Sequence, residues 1–222
     1  MPTRRDLIVG ASAVGAASAA GLPGAASAAG EARTAVGFDV PQGACDCHVH
    51  VFPDPARFPF WEGRTYTPPV ATADDLLALQ RDLRLDRVVI VQPSVYGTDN
   101  RATLDGVRQL GPQRARAVAV IDERTTGTQL DEMHQAGVRG VRVNLETAGV
   151  VDPAASGRRL QEAVQQVAGR GWHVQTYTRL STIEALKDQL AAMPVPLVVD
   201  HFGGARGELG VQQPGFATLL DL

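Results

Sequence analysis

Cys45-Asp46-Cys47-His48-Val49-His50-Val51-Phe52 decides how this chain is read. The segment is short, apolar and alternating, so it reads as a β-strand. The i, i+2 spacing of His48 and His50 then sends both imidazoles to one side. Asp46 shares that side and lies one step deeper, where it orients an imidazole or closes a floor beneath the pair. Cys45 and Cys47 share the other side. A disulfide between them would be strained, so they read as two buried thiols. An H-x-H pair alone fits two satisfied structural histidines as well as it fits chemistry. The segments that follow separate these readings.

Five more apolar segments read as strands: Arg87–Gln92, Ala115–Ile121, Gly140–Asn144, His173–Tyr177 and Pro196–Asp200. Helical periodicity falls between them, at Ala73–Leu83, Arg101–Leu110, Gln129–Ala136, Arg158–Ala168 and Thr182–Met193. Thr72 before Asp74-Asp75 and Ser181 before Glu184 are start signals, and Gly137 and Gly169 fall where helices end. Short strands rich in Val and Ile, alternating with helices, predict parallel βαβ units buried on both faces.

An open doubly wound sheet and a (β/α) barrel both fit that alternation. The first favours a glycine-rich phosphate turn, and neither G-x-G-x-x-G nor a P-loop occurs. The strands instead end in polar residues: His48 and His50, Gln92 and Ser94, Asp122, Arg142 and Asn144, Tyr177, then Asp200 and His201. A barrel gathers such ends at one mouth, where reactive sites are built. The expectation is a TIM-type barrel with His201 approaching His48 and His50. His134 falls in a helix and reads as a surface residue. His173 begins the fifth strand on the side of Gln175 and Tyr177.

The 222 residues carry a net charge of −3, which gives no basic field for nucleic acid. The two cysteines cannot make a disulfide scaffold. The amino terminus reads as an address. Thr3-Arg4-Arg5, a weakly apolar Ala/Gly stretch, and Ala26-Ser27-Ala28 before a cleavage point follow the layout of a twin-arginine export signal over residues 1–28. Export to the periplasm or the extracellular space is expected, with a lead-in over 29–42 and one domain over 43–222. The apolar run is too short and too poor in large side chains for a stable membrane span.

The strand carrying His48 and His50 resembles the opening of the amidohydrolase superfamily. Val89-Ile90-Val91-Gln92-Pro93-Ser94, Gly97-Thr98-Asp99-Asn100, Gly137-Val138-Arg139-Gly140-Val141-Arg142-Val143-Asn144, Gly171-Trp172-His173-Val174 and Pro194-Val195-Pro196-Leu197-Val198-Val199-Asp200-His201-Phe202-Gly203 narrow that resemblance to the 2-pyrone-4,6-dicarboxylate lactonase branch. It implies a distorted barrel that hydrolyses a small lactone carrying carboxylate. It implies that His48, His50 and His201 polarise the carbonyl, and that Ser94, Arg142 and Tyr177 hold the substrate. An ion pair beneath the mouth is the alternative for Arg142, and a turn cap for Ser94.

Two departures from the branch stand out. Its additional carboxylate-binding Arg after the fourth strand is replaced by a stretch containing Glu146 and no Arg. Six strand–helix units are visible where the fold has eight, and the Asp expected as general base belongs to a last strand not seen here. The reading is therefore of an apparently incomplete barrel, and an inactive fragment is the alternative to a lactonase. Metal use is narrowed by composition. The resemblance implies that a metal pair would be bridged by a modified Lys of the fourth strand, and the only lysine is Lys187, in the helix before the sixth, which argues against such a pair. Cofactor-free chemistry is expected, with a single zinc on His48, His50 and His201 as the alternative. Oligomeric state is not legible.

Overall fold

The computed structural model describes residues 36–222. The signal segment read at residues 1–28 lies outside the described residues. Six strands form one parallel sheet: β1 (Cys45–Val49), β2 (Arg87–Val91), β3 (Ala115–Ala119), β4 (Val138–Asn144), β5 (His173–Tyr177) and β6 (Leu197–Val199). Their order is β1-β2-β3-β4-β5-β6. Every strand pairs with its neighbour in sequence, so the chain winds in one direction. A doubly wound sheet would reverse its order at a switch point.

The sheet also curls. At about 4.8 Å per strand, five steps would hold β1 and β6 roughly 24 Å apart in a flat sheet. Yet His48 Nδ1 of β1 lies 3.3 Å from Oδ1 of Asp200, the residue after β6. The strands therefore form a curled half-barrel, six units of the TIM type, with the helices between them. Among these six strands β1 and β6 are the two edges, and Val198 of β6 is exposed.

Six α-helices lie between the strands: α1 (Ala73–Leu83), α2 (Arg101–Leu110), α3 (Gly127–Gln135), α4 (Pro153–Val167), α5 (Leu180–Ala185) and α6 (Lys187–Ala191), and two short ones, α7 (His201–Gly204) and α8 (Phe216–Asp221), follow β6. The first two match the sequence reading to the residue. Thr72 caps α1 through a reciprocal box with Asp75. α3 begins two residues earlier than expected because Thr126 and Gln129 form a second such box. α4 begins five residues early, at an Asp152 cap followed by Pro153 in its first turn. The single helix expected over Thr182–Met193 is two, broken at Leu186. Among the described residues no helix is long and apolar enough to cross a membrane.

The core lies between the sheet and its helices. Ile90, Val91, Ala115, Ala117, Ala119, Val138, Val141 and Val174 are fully buried in β2 to β5. β1 is less covered and is bulged between Asp46 and Val49, so His50 falls just past its end. Its exposure corrects the expectation of two buried thiols. Cys47 is exposed and Cys45 half-buried, and both are free. Asp46 corrects another, since its carboxylate accepts the backbone N–H of His48 at 3.1 Å rather than an imidazole proton.

Gly106 shows how tightly the helix layer meets the sheet. A Cβ there would lie 3.0 Å from Ile90 Cδ1 and 3.1 Å from Val51 Cγ2, and both side chains are fully buried. Gly106→Ala should gain about 1 kcal/mol of helix propensity. It should lose about 1–3 kcal/mol to overpacking against neighbours with no room to yield. A net loss of about 1 kcal/mol is expected in chemical denaturation, and a more stable variant would show that the layers can part.

Candidate active site

One carboxylate organises the concave side of the sheet. Asp200, buried at the end of β6, accepts from four side-chain groups on three other strands. Arg142 of β4 donates from Nε at 2.9 Å and pairs through Nη2 at 2.8 Å, both to Oδ2. Gln175 of β5 donates to Oδ1 at 2.6 Å, and His48 of β1 lies 3.3 Å from the same oxygen. Burial alone would raise the Asp200 pKa. The hydrogen bond from His48 and the charge of Arg142 outweigh it and hold the carboxyl below its ordinary value.

The three histidines expected at the mouth do converge. The His48 ring centroid is 5.2 Å from that of His50 and 5.0 Å from that of His201. His201 meets the edge of Tyr177 at 5.2 Å. Both His201 and Phe202 adopt φ of 52°, a left-handed turn that folds the chain back directly after β6. His48 Nε2 is buried without a hydrogen-bond partner among the described residues.

His50 is held differently. Its Nδ1 lies 2.7 Å from the carbonyl oxygen of Val91, which only accepts, so Nδ1 carries the proton. Burial pushes its pKa down to about 4 despite that hydrogen bond, so the ring is neutral near pH 7 with a lone pair on Nε2. With its one N–H given to Val91 O, the neutral ring has no proton on Nε2 to offer a substrate carbonyl. That departs from the expectation of equivalent donors in His48 and His50. His173 stays at the start of β5, its ring lying over Gly140 of β4. His134 is half-buried rather than a plain surface residue, because Trp172 Nε1 donates to its Nδ1 at 2.9 Å.

Of the expected substrate contacts, Arg142 is the one most changed. Its guanidinium is committed to Asp200 and lies 5.5 Å from the centre of the Tyr177 ring, the ion-pair alternative. Ser94 opens a short 3₁₀ turn and lines a cavity of about 410 Å³ together with Gln92 and Asn144. None of the three histidines lines that cavity, which sits beside them over the ends of β2 to β4.

A metal would find a different donor set from the expected one. The ligand atoms lying within 4.8 Å of one another belong to His48, Asp200 and His201, and His50 is not among them. Both Asp200 oxygens already accept from cationic or polar donors, and a guanidinium is in contact with the carboxylate. Asp200 is the site residue that the sequence reading noted at a strand end and left without a role. Its signal was there: a strand-final Asp directly before His201, matching an Arg on an inner strand.

The amidohydrolase family model matches residues 45–222. Over 183 residues the chain is 38% identical to the 2-pyrone-4,6-dicarboxylate hydrolase of Comamonas testosteroni, covering 82% of this chain and 59% of that protein. Over 188 residues it is 35% identical to the 4-sulfomuconolactone hydrolase of Hydrogenophaga intermedia, covering 83% of this chain and 60% of that one. The chain thus spans about 60% of the length of these curated relatives. A solved Pseudomonas putida structure, provisionally described as a 2-pyrone-4,6-dicarboxylic acid hydrolase, superposes with a TM-score of 0.70 at 34% identity, over 82% of this chain and 66% of that one.

The His50 geometry sets a pH dependence. The unfolded imidazole takes up a proton below about 6.5, while the folded one resists until about 4. Acid therefore favours unfolding across that interval, and the stability contributed by neutral His50 above pH 6.5 erodes as pH falls. NMR titration should find His50 unprotonated, with the proton on Nδ1, from pH 8 to pH 5. A midpoint near 6.5 would contradict the geometry.

Proposed function

The chain belongs to the amidohydrolase family, and we propose that it hydrolyses a small lactone at the mouth of the half-barrel. The observation that carries this reading is His48 bound through Nδ1 to buried Asp200, with Nε2 left for a substrate atom. Hydrolysis of a cyclic ester adds water to the carbonyl carbon, places charge on the carbonyl oxygen, and breaks the ring C–O bond to leave a carboxylate and a hydroxyl. The charge on oxygen is what a site must stabilise. In its imidazolium form His48 donates from Nε2, with Asp200 balancing the positive charge. His201, 5.0 Å away ring to ring, supplies the second donor. His50 keeps its lone pair and serves as a proton acceptor. Ser94 and Tyr177 border the place where the substrate body lies.

The two relatives named as 2-pyrone-4,6-dicarboxylate hydrolase and 4-sulfomuconolactone hydrolase support this chemistry. We propose further that the reaction needs no metal. Asp200 lacks a free oxygen, and bringing a dication beside Arg142 would oppose two positive charges in a buried site. Zinc on His48, Asp200 and His201 would require Arg142 to let go. Residues 1–28 are proposed to export the folded chain. A reporter fused behind them should reach the periplasm only in cells with a working twin-arginine system.

His201→Ala should lower kcat/KM on an accepted lactone by about 10²–10³-fold, the usual cost of one oxyanion donor. Dialysis against a strong chelator should leave activity unchanged and the protein free of stoichiometric metal. Loss on chelation, restored by zinc, would establish the metal route instead. A second reading rests on the open edges of β1 and β6 and on Asp200 being already engaged. On that reading the water-activating Asp sits on further strands, without which the six units are inactive. Turnover by the 222-residue chain alone would exclude it.

A further inference from the structure

The loop between β1 and α1 carries a second set of residues that faces the mouth. Trp61 is pinned there through its backbone, its N–H donating to Val95 O at 2.8 Å. Its side chain runs past Gly97, where a Cβ would meet the ring at 3.4 Å. Gly63 makes the placement possible, because a Cβ there would lie only 2.4 Å from the same indole. The indole itself remains exposed.

Arg64 follows on the same loop. Its Nε donates to Thr67 Oγ1 at 2.9 Å and its Nη1 to Trp61 O at 3.2 Å, with the guanidinium 5.6 Å from the Phe60 ring centre. Its Nη2 has no partner, and Arg64 has no carboxylate partner, among the described residues. Trp61 and Arg64 line the 410 Å³ cavity beside Ser94, Gln92 and Asn144. Across that cavity, after β4, the branch's additional Arg is absent. Glu146 stands there instead, bound by Arg179 through both carboxylate oxygens at 2.5 and 2.6 Å. That pair leaves Glu146 no free charge to attract or repel a ligand.

We infer that Arg64 and Trp61 form the substrate-recognition wall of this site, selecting a flat unsaturated ring that carries an anionic oxygen group. The ring stacks on the indole face, and the anion accepts from the free edge of a guanidinium already held in place. Preorganisation of this kind lowers the ordering cost of a charge-assisted contact. Charge recognition is thereby moved from the loop after β4 to the loop after β1. The inference rests on the lactonase reading for the identity of the ring, and its test is built on binding, so the two can fail separately.

The probe is 2-pyridone-5-carboxylate, the lactam counterpart of a carboxylated pyrone, which does not hydrolyse; its methyl ester is the uncharged twin. The chain has two tryptophans, so its indole N–H region holds two NMR signals, with the buried Trp172 as internal reference. The carboxylate should bind at least about tenfold tighter than the ester and shift the Trp61 signal while leaving that of Trp172 in place. Arg64→Gln should erase the preference for charge. Arg101→Gln, on the exposed Asp99 pair, should preserve it. Equal binding of the two probes, a static Trp61 signal, or a preference that survives Arg64→Gln would overturn the inference. Selective carboxylate binding by a protein that opens no lactone would keep this wall and remove the hydrolase reading. Lactone opening with the Arg64→Gln preference unmoved would do the reverse.

Discussion

A single buried carboxylate holds the ends of this sheet together. Asp200 follows the last strand, and its partners come from the first, fourth and fifth. Removing an ionised group from water is costly, and the cost is recovered only when every lone pair finds a donor. Arg142, Gln175 and His48 meet that demand only if the sheet is curled, because a flat one would leave β1 far from β6. The polar requirement and the curvature are thus one constraint. Truncating one partner would leave the other charge buried and alone, which typically costs about 3–5 kcal/mol. Replacing the group by a packed apolar set would relieve the electrostatics and abandon the geometry.

That constraint also divides the labour between two histidines that look equivalent in sequence. His48 faces a carboxylate through Nδ1 and His50 faces a peptide carbonyl. A carboxylate supports a positive ring and a carbonyl does not. The two rings are therefore not interchangeable: His50 gives its Nδ1 proton to a peptide carbonyl, while Nε2 of His48 is buried without a partner among the described residues. What separates them is the partner behind each ring, and neither partner is adjacent in the chain.

Most of the fold was legible because the period of apolar residues switches cleanly between strand and helix, and because capping residues such as Thr72 act locally. α4 extends beyond its apolar pattern for a local reason: Asp152-Pro153 starts a helix, while Ala154 to Gly157 carry little apolar signal. The convergence of His48, His50 and His201 was legible from strand-end positions. The engagement of Arg142 by Asp200 was not, since the two lie 58 residues apart and their register depends on the curl. The exposure of Cys47 was hidden for a related reason. Alternation states which side a residue takes, and only the sheet order states whether that side is covered.

The strand order carries a consequence for how the molecule assembles. Each strand finds its partner in the next unit along the chain, so pairing proceeds through contacts of short sequence separation, the kind that form early. The contact between His48 of β1 and Asp200 after β6 joins regions that no ladder connects directly. It forms once the intervening units are in place. Loosening it would chiefly speed unfolding and leave the folding rate nearly unchanged. The half-barrel thus acquires its architecture progressively, while the cluster around Asp200 waits for its last strand, so a chain emerging from synthesis carries the scaffold well before it carries the assembled cluster.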